Sequence, residues 1–319
     1  MTTSKTKVGL ARTESRRENV RTALDLVRDD VIPKLREQVM LKPNFLSSSN
    51  QLASTHVDAI RGAIDFLLTT PNPPKEIIVA EGANEKFSGQ AFQNFGYTAL
   101  PDEYDIPIRL VDLHQETNWE DTKIVLADRS EVRVRMPKTV LDCPCTISIA
   151  VAKTHDTGVV TLALKNMIMG TLHKQDRVKI HGYNSHAERE LPREAQTLNI
   201  NLIRLSRYLK PDIGVIDGTV GLQGNGPGGT DAIELGIAVA SADVFAADAV
   251  TSKAMGFEPL EIGLLHYANE MGYGVADLER IEICGTPIEK AVMAFKPHET
   301  VTLQFQWREA NAGNYLPAY

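Results

Sequence analysis

Short apolar runs alternate along this chain with longer stretches in which apolar positions recur every three or four residues. The runs KVGLA (7–11), QVMLK (38–42), EIIVAE (76–81), TISIAVA (146–152), DIGVID (212–217), ELGIAVA (234–240) and RIEIC (280–284) predict strands. Segments 15–29, 55–69, 88–95, 157–169, 193–209, 242–255 and 259–271 predict helices. Their interleaving predicts an α/β fold of mostly parallel sheets with flanking helices in two lobes. Helix ends carry fitting signals: Ser54 or Thr55 ahead of the second helix, Ser241 and Asp243 ahead of the alanine-rich one, and Gly256 behind it. One segment breaks the alternation. DTKIVLADRSEVRVRMP places two strand patterns around a polar turn and predicts an inserted antiparallel hairpin. The expected division is an N-terminal lobe over 1–115, a hairpin insert or boundary over 116–140, and a C-terminal lobe over 141–319.

In open α/β sheets ligands bind beyond the carboxyl ends of the strands. Those ends carry Lys42 and Asn44, then Glu81, then Lys153, Thr154 and His155, then Asp217. In the helix predicted after His155, Gly158, Thr161 and Lys165 share one stripe, while Ala163, Leu164, Met167 and Ile168 cover the opposite side. Leu162 and Met169 leave Lys165 and Asn166 little access to solvent. A lysine so placed needs an anionic partner, either Glu81 or Asp217 or a bound carboxylate or phosphate. The expected catalytic residues are therefore His155, Lys165 and Asp217, with Lys42, Asn44, Glu81, Lys153, Thr154 and Asn166 binding the ligand.

The loop DGTVGLQGNGPGGTD (217–231) formally contains G-x-G-x-x-G, but a strand pattern follows it rather than the helix a dinucleotide site requires. Gly224, Gly226, Gly228 and Gly229 are instead candidates for an anion-binding nest of backbone N–H groups, with a tight structural crossover as the alternative. Upstream, His173, Lys174, Arg177, Lys179, His181 and His186 crowd one polar loop. It reads first as a lid whose cations meet an anionic substrate. Its second reading is a divalent-metal site of His155, His181, His186 and Asp217, although the spacing matches no standard short metal motif.

Composition narrows the partner. The net charge is −7 and the lysines and arginines are scattered, which excludes a nucleic-acid stripe or a polybasic membrane patch and favours a small soluble anion. Cys143, Cys145 and Cys284 have no disulfide or cluster spacing, so a reducing compartment and no iron–sulfur centre held by this chain are expected. No apolar run has the length of a signal peptide or membrane span, and a cytoplasmic protein is the expectation. Neither G-x-x-x-x-G-K-[ST] nor G-x-S-x-G occurs, which disfavours triphosphate hydrolysis and α/β-hydrolase chemistry.

The segments LKPNF, KTHDTGVVTLALKNMIMG, IGVIDGTVGLQGNGPGG, ASADVFAADAV and HYANEMGYGVADLERIEICG, in this order, resemble the family called domain of unknown function 362 from about Lys42 to Gly285. Relatives in that family often carry ferredoxin-type modules, so the resemblance implies redox or cofactor work, here with a separate iron–sulfur or flavin partner. A fainter likeness, in architecture and the strand-end KTH, is to nickel-dependent lactate racemase. The leading expectation is an enzyme that moves a proton beside a carboxylate in an interlobe cleft, as an isomerase, racemase or lyase does, with or without a metal. The alternatives are a redox or cofactor-handling protein and a non-catalytic anion-binding module. No feature of the sequence sets an oligomeric state.

Overall fold

The computed structural model describes residues 5–85 and 88–317. Twelve strands occur among them: β1 (Thr6–Ala11), β2 (Gln38–Lys42), β3 (Glu76–Glu81), β4 (Ile108–Asp112), β5 (Trp119–Val125), β6 (Glu131–Pro137), β7 (Thr146–Thr154), β8 (Val160–Thr161), β9 (Ile213–Leu222), β10 (Ala232–Ile233), β11 (Ile237–Ser241) and β12 (Ile281–Gly285). Ten of them form one sheet in the order β12-β1-β11-β9-β7-β2-β3-β4, with β8 beside β7 and β10 beside β9. The run from β9 to β4 is parallel, while β11 pairs antiparallel with both β9 and β1. The fold is thus α/β with a large, mostly parallel sheet, flanking helices and a separate β5–β6 hairpin.

Helices cover both faces, which is why the central strands read as continuous apolar runs: all nine residues of β7 are buried. Alternation then sorts side chains between two cores. Val39, Leu41, Ile77, Val79, Ile147, Ile149, Ile213 and Val215 pack with Val20 and Leu24 of helix Arg16–Leu26 and with Ile60 and Ile64 of helix Val57–Leu68. Met40, Ile78, Ala80, Ala150, Ala152 and Ile216 pack on the other side, with helices Ala163–Thr171, Arg193–Leu209 and Val244–Ala254.

The segments expected as 1–115 and 141–319 build this one sheet together. They join where Met40 of β2 pairs with Thr146 of β7, and β1 lies between β11 and β12. The hairpin rests on helix Arg193–Leu209, whose Asn201 side chain accepts from Val125 N–H (2.9 Å) and donates to Val125 C=O (2.8 Å). No helix among the described residues is long and apolar enough to cross a membrane.

Three local differences from the periodicity have physical causes. β4 lies at the sheet edge, where only Ile108 is buried, so it lacks an apolar run. ELGIAVA is interrupted at Gly236 (φ 73°), and strand pairing resumes at Ile237. The segment expected as helix 157–169 begins instead as a hairpin. Val159, at φ 64°, reverses the chain, His155 N–H donates to Val159 C=O (2.9 Å), and β8 pairs back onto Lys153 and Thr154. Consecutive β-branched Val159, Val160 and Thr161 favour this extended pairing over a helical turn. The helix starts at Ala163 with no side-chain cap from Leu162. Its first two amides are taken by the buried Asp248 carboxylate, at 2.8 Å (Ala163) and 3.1 Å (Leu164).

Candidate functional site

A cavity of about 220 Å3 opens at the carboxyl ends of β2, β3 and β7, walled by helix Ala163–Thr171 and by the polar segment that follows it. Beneath its floor Lys42 is fully buried and held by the Glu81 carboxylate, by Pro43 C=O (2.7 Å) and by Asn166 Oδ1 (2.8 Å). Burial pushes Lys42 down to about 8 and Glu81 up to about 6. The backbone at Gly170 presses on this pair, since a Cβ there would lie 2.7 Å from Glu81 Oε1.

Among the cations that line the cavity, Lys153, Lys165 and Arg177 make no ion pair with a carboxylate among the described residues. Lys153 donates to Asn44 Oδ1 and to Ala53 C=O (2.8 Å). Arg177 spends its three nitrogens on the carbonyls of Leu172 (3.0 Å), Ala83 (3.1 Å) and Gly170 (3.3 Å). Lys165 Nζ lies 2.9 Å from His155 Nε2. Burial is the main cause that lowers all three: Lys153 to about 7, Lys165 to about 8 and Arg177 to about 10. The hairpin at Val159 is what puts Lys165 here. It returns the chain so that a lysine in the first turn of the helix faces the histidine at the end of β7.

His155 is 4% exposed, and burial followed by the charge of Lys165 lowers it to about 3, so the ring is neutral. Its Nδ1 lies 3.0 Å from Thr157 N–H and 2.9 Å from Asp156 Oδ1. Burial alone would raise Asp156, but His155 and Arg189 hold it well below the usual carboxylate range. Arg189 donates to Asp156 (2.9 Å) and to Glu194 (2.6 Å). Glu194 also accepts from the Thr157 hydroxyl (2.8 Å) and binds His181 Nδ1 (2.6 Å). The His155 and His181 rings are stacked, with centroids 6.1 Å apart.

Of the residues expected at the site, Asn44, Glu81, Lys153, His155, Lys165, Asn166, His181 and His186 line the cavity. Lys42 lies below it as Glu81's counter-ion. Thr154 points away, donating to Gly224 C=O (2.9 Å). The expected nest is not formed by Gly224 and Gly226: their amides are spent on Lys296 C=O (2.7 Å) and Gly224 C=O (2.8 Å), and Pro227 is the loop residue that reaches the cavity. The carbonyls of Gly228 and Gly229 accept from Asn50. Gly226 serves close packing, because a Cβ there would lie 2.8 Å from the Thr154 carbonyl carbon.

Asp217 requires a correction. It shares strand parity with Ile213 and Val215, so it points to the opposite face, where Arg16 holds it at 2.7 Å and its Oδ1 accepts from Thr219 N–H (3.0 Å). Asp156, not Asp217, contacts His155. The expected metal set of His155, His181, His186 and Asp217 is therefore not assembled, and no three His, Cys, Asp or Glu among the described residues gather in a way that could hold a metal ion.

From the sequence, Asp156 is placed with Lys153 and His155 at the cleft edge but given no role, Arg189 and Glu194 are missed, and Arg177 stands only among the lid cations. Asp156 was legible as the residue directly after KTH. Arg189 and Glu194 sit in a segment whose path no periodicity predicts. The polar segment does line the cavity through Lys174, Arg177, His181, His186 and Arg189. It is tied to the hairpin by Arg135 on Asp176 (2.8 Å) and by Trp119 against His173.

A thylakoid-associated protein of Synechocystis is 24% identical over 247 residues, covering 74% of this chain and 68% of that one. The lactate racemase apoprotein of Thermoanaerobacterium thermosaccharolyticum gives a TM-score of 0.40 at 9% identity, over 67% of this chain and half of that structure. The profile of the Domain of unknown function (DUF362) matches residues 39–253, the stretch that carries the cavity from β2 to the alanine-rich helix, and the chain belongs to that family.

Proposed function

We propose that the protein is an enzyme that binds a small carboxylate or phosphate anion in this cavity and moves a proton on a carbon next to the acid group, as an isomerase, racemase or lyase does. The observation that carries the reading is the set of three buried cations, Lys153, Lys165 and Arg177, facing one cavity without a direct carboxylate ion pair among the described residues, while the lining carboxylates Glu81 and Asp156 are bound to Lys42 and Arg189. Burying a charge without a counter-charge is costly, and a bound anion supplies the missing partner. Arg177 keeps one free N–H on each terminal nitrogen and Lys153 keeps one on Nζ, enough to hold an acid group.

Proton transfer falls to the Lys165–His155–Asp156 chain. With Lys165 as ammonium, His155 Nε2 accepts from it and Nδ1–H faces Asp156. When Lys165 loses a proton, the imidazole changes tautomer: Nε2–H donates to the amine and Nδ1 accepts from Thr157 N–H. Each tautomer keeps one of the two Nδ1 contacts, Asp156 in the first and Thr157 N–H in the second, so the ring can exchange one for the other as the proton enters or leaves. The nearby cations stabilise the negative charge that develops on the substrate.

The test is exchange in D2O. Incubation with a panel of 2-hydroxy, 2-oxo and amino carboxylates, followed by proton NMR, is expected to show protein-dependent deuterium uptake for at least one member, beside the carboxyl group in the hydroxy and amino acids and beside the carbonyl in the 2-oxo acids, which carry no hydrogen next to the carboxyl. His155→Ala should slow that exchange by about 10²–10⁴-fold. Binding without exchange that survives His155→Ala would mark a non-catalytic anion-binding module.

A further inference from the structure

We propose that Lys165 is a covalent catalytic group, whose free amine condenses with the carbonyl of a small 2-oxo carboxylate while Arg177 and Lys153 hold the carboxylate. This rests on the anion-site reading above and names its substrate class. Three buried lysines meet at this edge of the sheet, and their partners set them apart. Lys42 is committed to Glu81, Pro43 C=O and Asn166; Lys153 is committed to Asn44 and Ala53 C=O. Among the described residues Lys165 has a single hydrogen-bond partner, an imidazole nitrogen that can donate as well as accept. An oxygen acceptor would favour the ammonium, whereas the Nε2–H tautomer of His155, in which Nδ1 accepts from Thr157 N–H (3.0 Å) and gives up a hydrogen bond to Asp156 Oδ1 (2.9 Å), pairs with the neutral amine. Burial, with help from Arg189, outweighs the opposing charges of Asp156 and Glu194 and pushes Lys165 down, which is the setting that activates a lysine nucleophile.

The step balances. The Nζ lone pair attacks the carbonyl carbon and the C=O π pair moves to oxygen; a proton then passes from nitrogen to that oxygen, giving a neutral carbinolamine. One proton from solvent carries the hydroxyl off as water while the nitrogen lone pair forms C=N, leaving a protonated imine. The released His155 ring can then take the tautomer with Nδ1–H on Asp156, which leaves Nε2 as the base for the carbon acid beside the iminium. Lys165 as nucleophile and His155 as base would thus be separate tasks in one small cavity.

The test uses the full chain with pyruvate or 2-oxoglutarate and sodium cyanoborohydride, read by intact mass and peptide mapping. The expected result is one reduced adduct per chain on Lys165, lost at least tenfold in Lys165→Met. Mapping in the wild-type chain keeps the test valid even if the variant folds poorly. Binding of either oxo acid is measured in parallel by calorimetry without reductant. Binding with no adduct, or an adduct on another lysine, overturns the covalent role and leaves the anion site standing. Failure of both oxo acids to bind overturns this substrate class, and failure of the whole carboxylate panel removes the anion site as well.

Discussion

At one edge of the sheet two buried charge clusters lie on opposite faces. On the side of helix Arg16–Leu26, Asp217 meets Arg16 at 2.7 Å and a backbone N–H at 3.0 Å, so each charge has its answer within the chain. On the side of helix Ala163–Thr171, Lys153, Lys165 and Arg177 are buried against carbonyls, an amide oxygen and an imidazole. Each cluster joins a strand residue, Asp217 or Lys153, to cations on neighbouring helices, and the sequence alone does not tell the two apart. The balanced one requires nothing further, whereas the unbalanced one stores a deficit that a ligand can fill.

The largest effect expected is functional and belongs to the unbalanced side. His155→Ala should reduce carboxylate exchange by about 10²–10⁴-fold while changing the melting temperature little, as NMR exchange and thermal unfolding would register. An equal loss on Asp217→Ala with the fold intact would erase the distinction between the clusters. On the balanced side, Asp217→Ala leaves Arg16 without its partner and should cost about 3 kcal/mol, measured by denaturant unfolding. Smaller still is a pH effect. The folded chain releases protons from Lys153 near 7 and from Lys42 and Lys165 near 8, whereas the unfolded chain keeps them until about 10.5. The unfolded state binds more protons in that window, so unfolding free energy should rise with pH, by on the order of 1 kcal/mol per lysine between pH 8 and 9. Glu81 has the opposite sign, losing stability as pH rises from 4.5 to about 6, and lies outside the window.

Much of this was legible in the chain. Period-two and period-3.6 patterns located seven of the long-range strands and most helices, because helices on both faces make the strands continuous apolar runs. The rule that ligands collect at carboxyl ends led to Lys153 and His155. It failed at Asp217 because β9 runs on to Leu222 and because parity with Ile213 and Val215 turns the side chain to the other face. Lys165 was found for an incomplete reason. A helical stripe from Gly158 does not exist, and the reversal at Val159 does the positioning, a feature no periodicity encodes. Arg189 and Glu194 became visible only when the segment after Lys174 was seen folded against the cavity.

Without ligand, Lys165 at neutral pH is a buried ammonium that makes no carboxylate ion pair among the described residues, and the most direct measurement of that state is the thermal unfolding of Lys165→Met beside the wild-type chain from pH 7 to 10. The account predicts that the variant melts higher at pH 7, by about 1–3 kcal/mol in stability, and that the gap closes toward pH 10 as the wild-type amine loses its charge. A variant that melts lower at every pH would show that the ammonium already has a sufficient partner inside the chain, and would contradict the account.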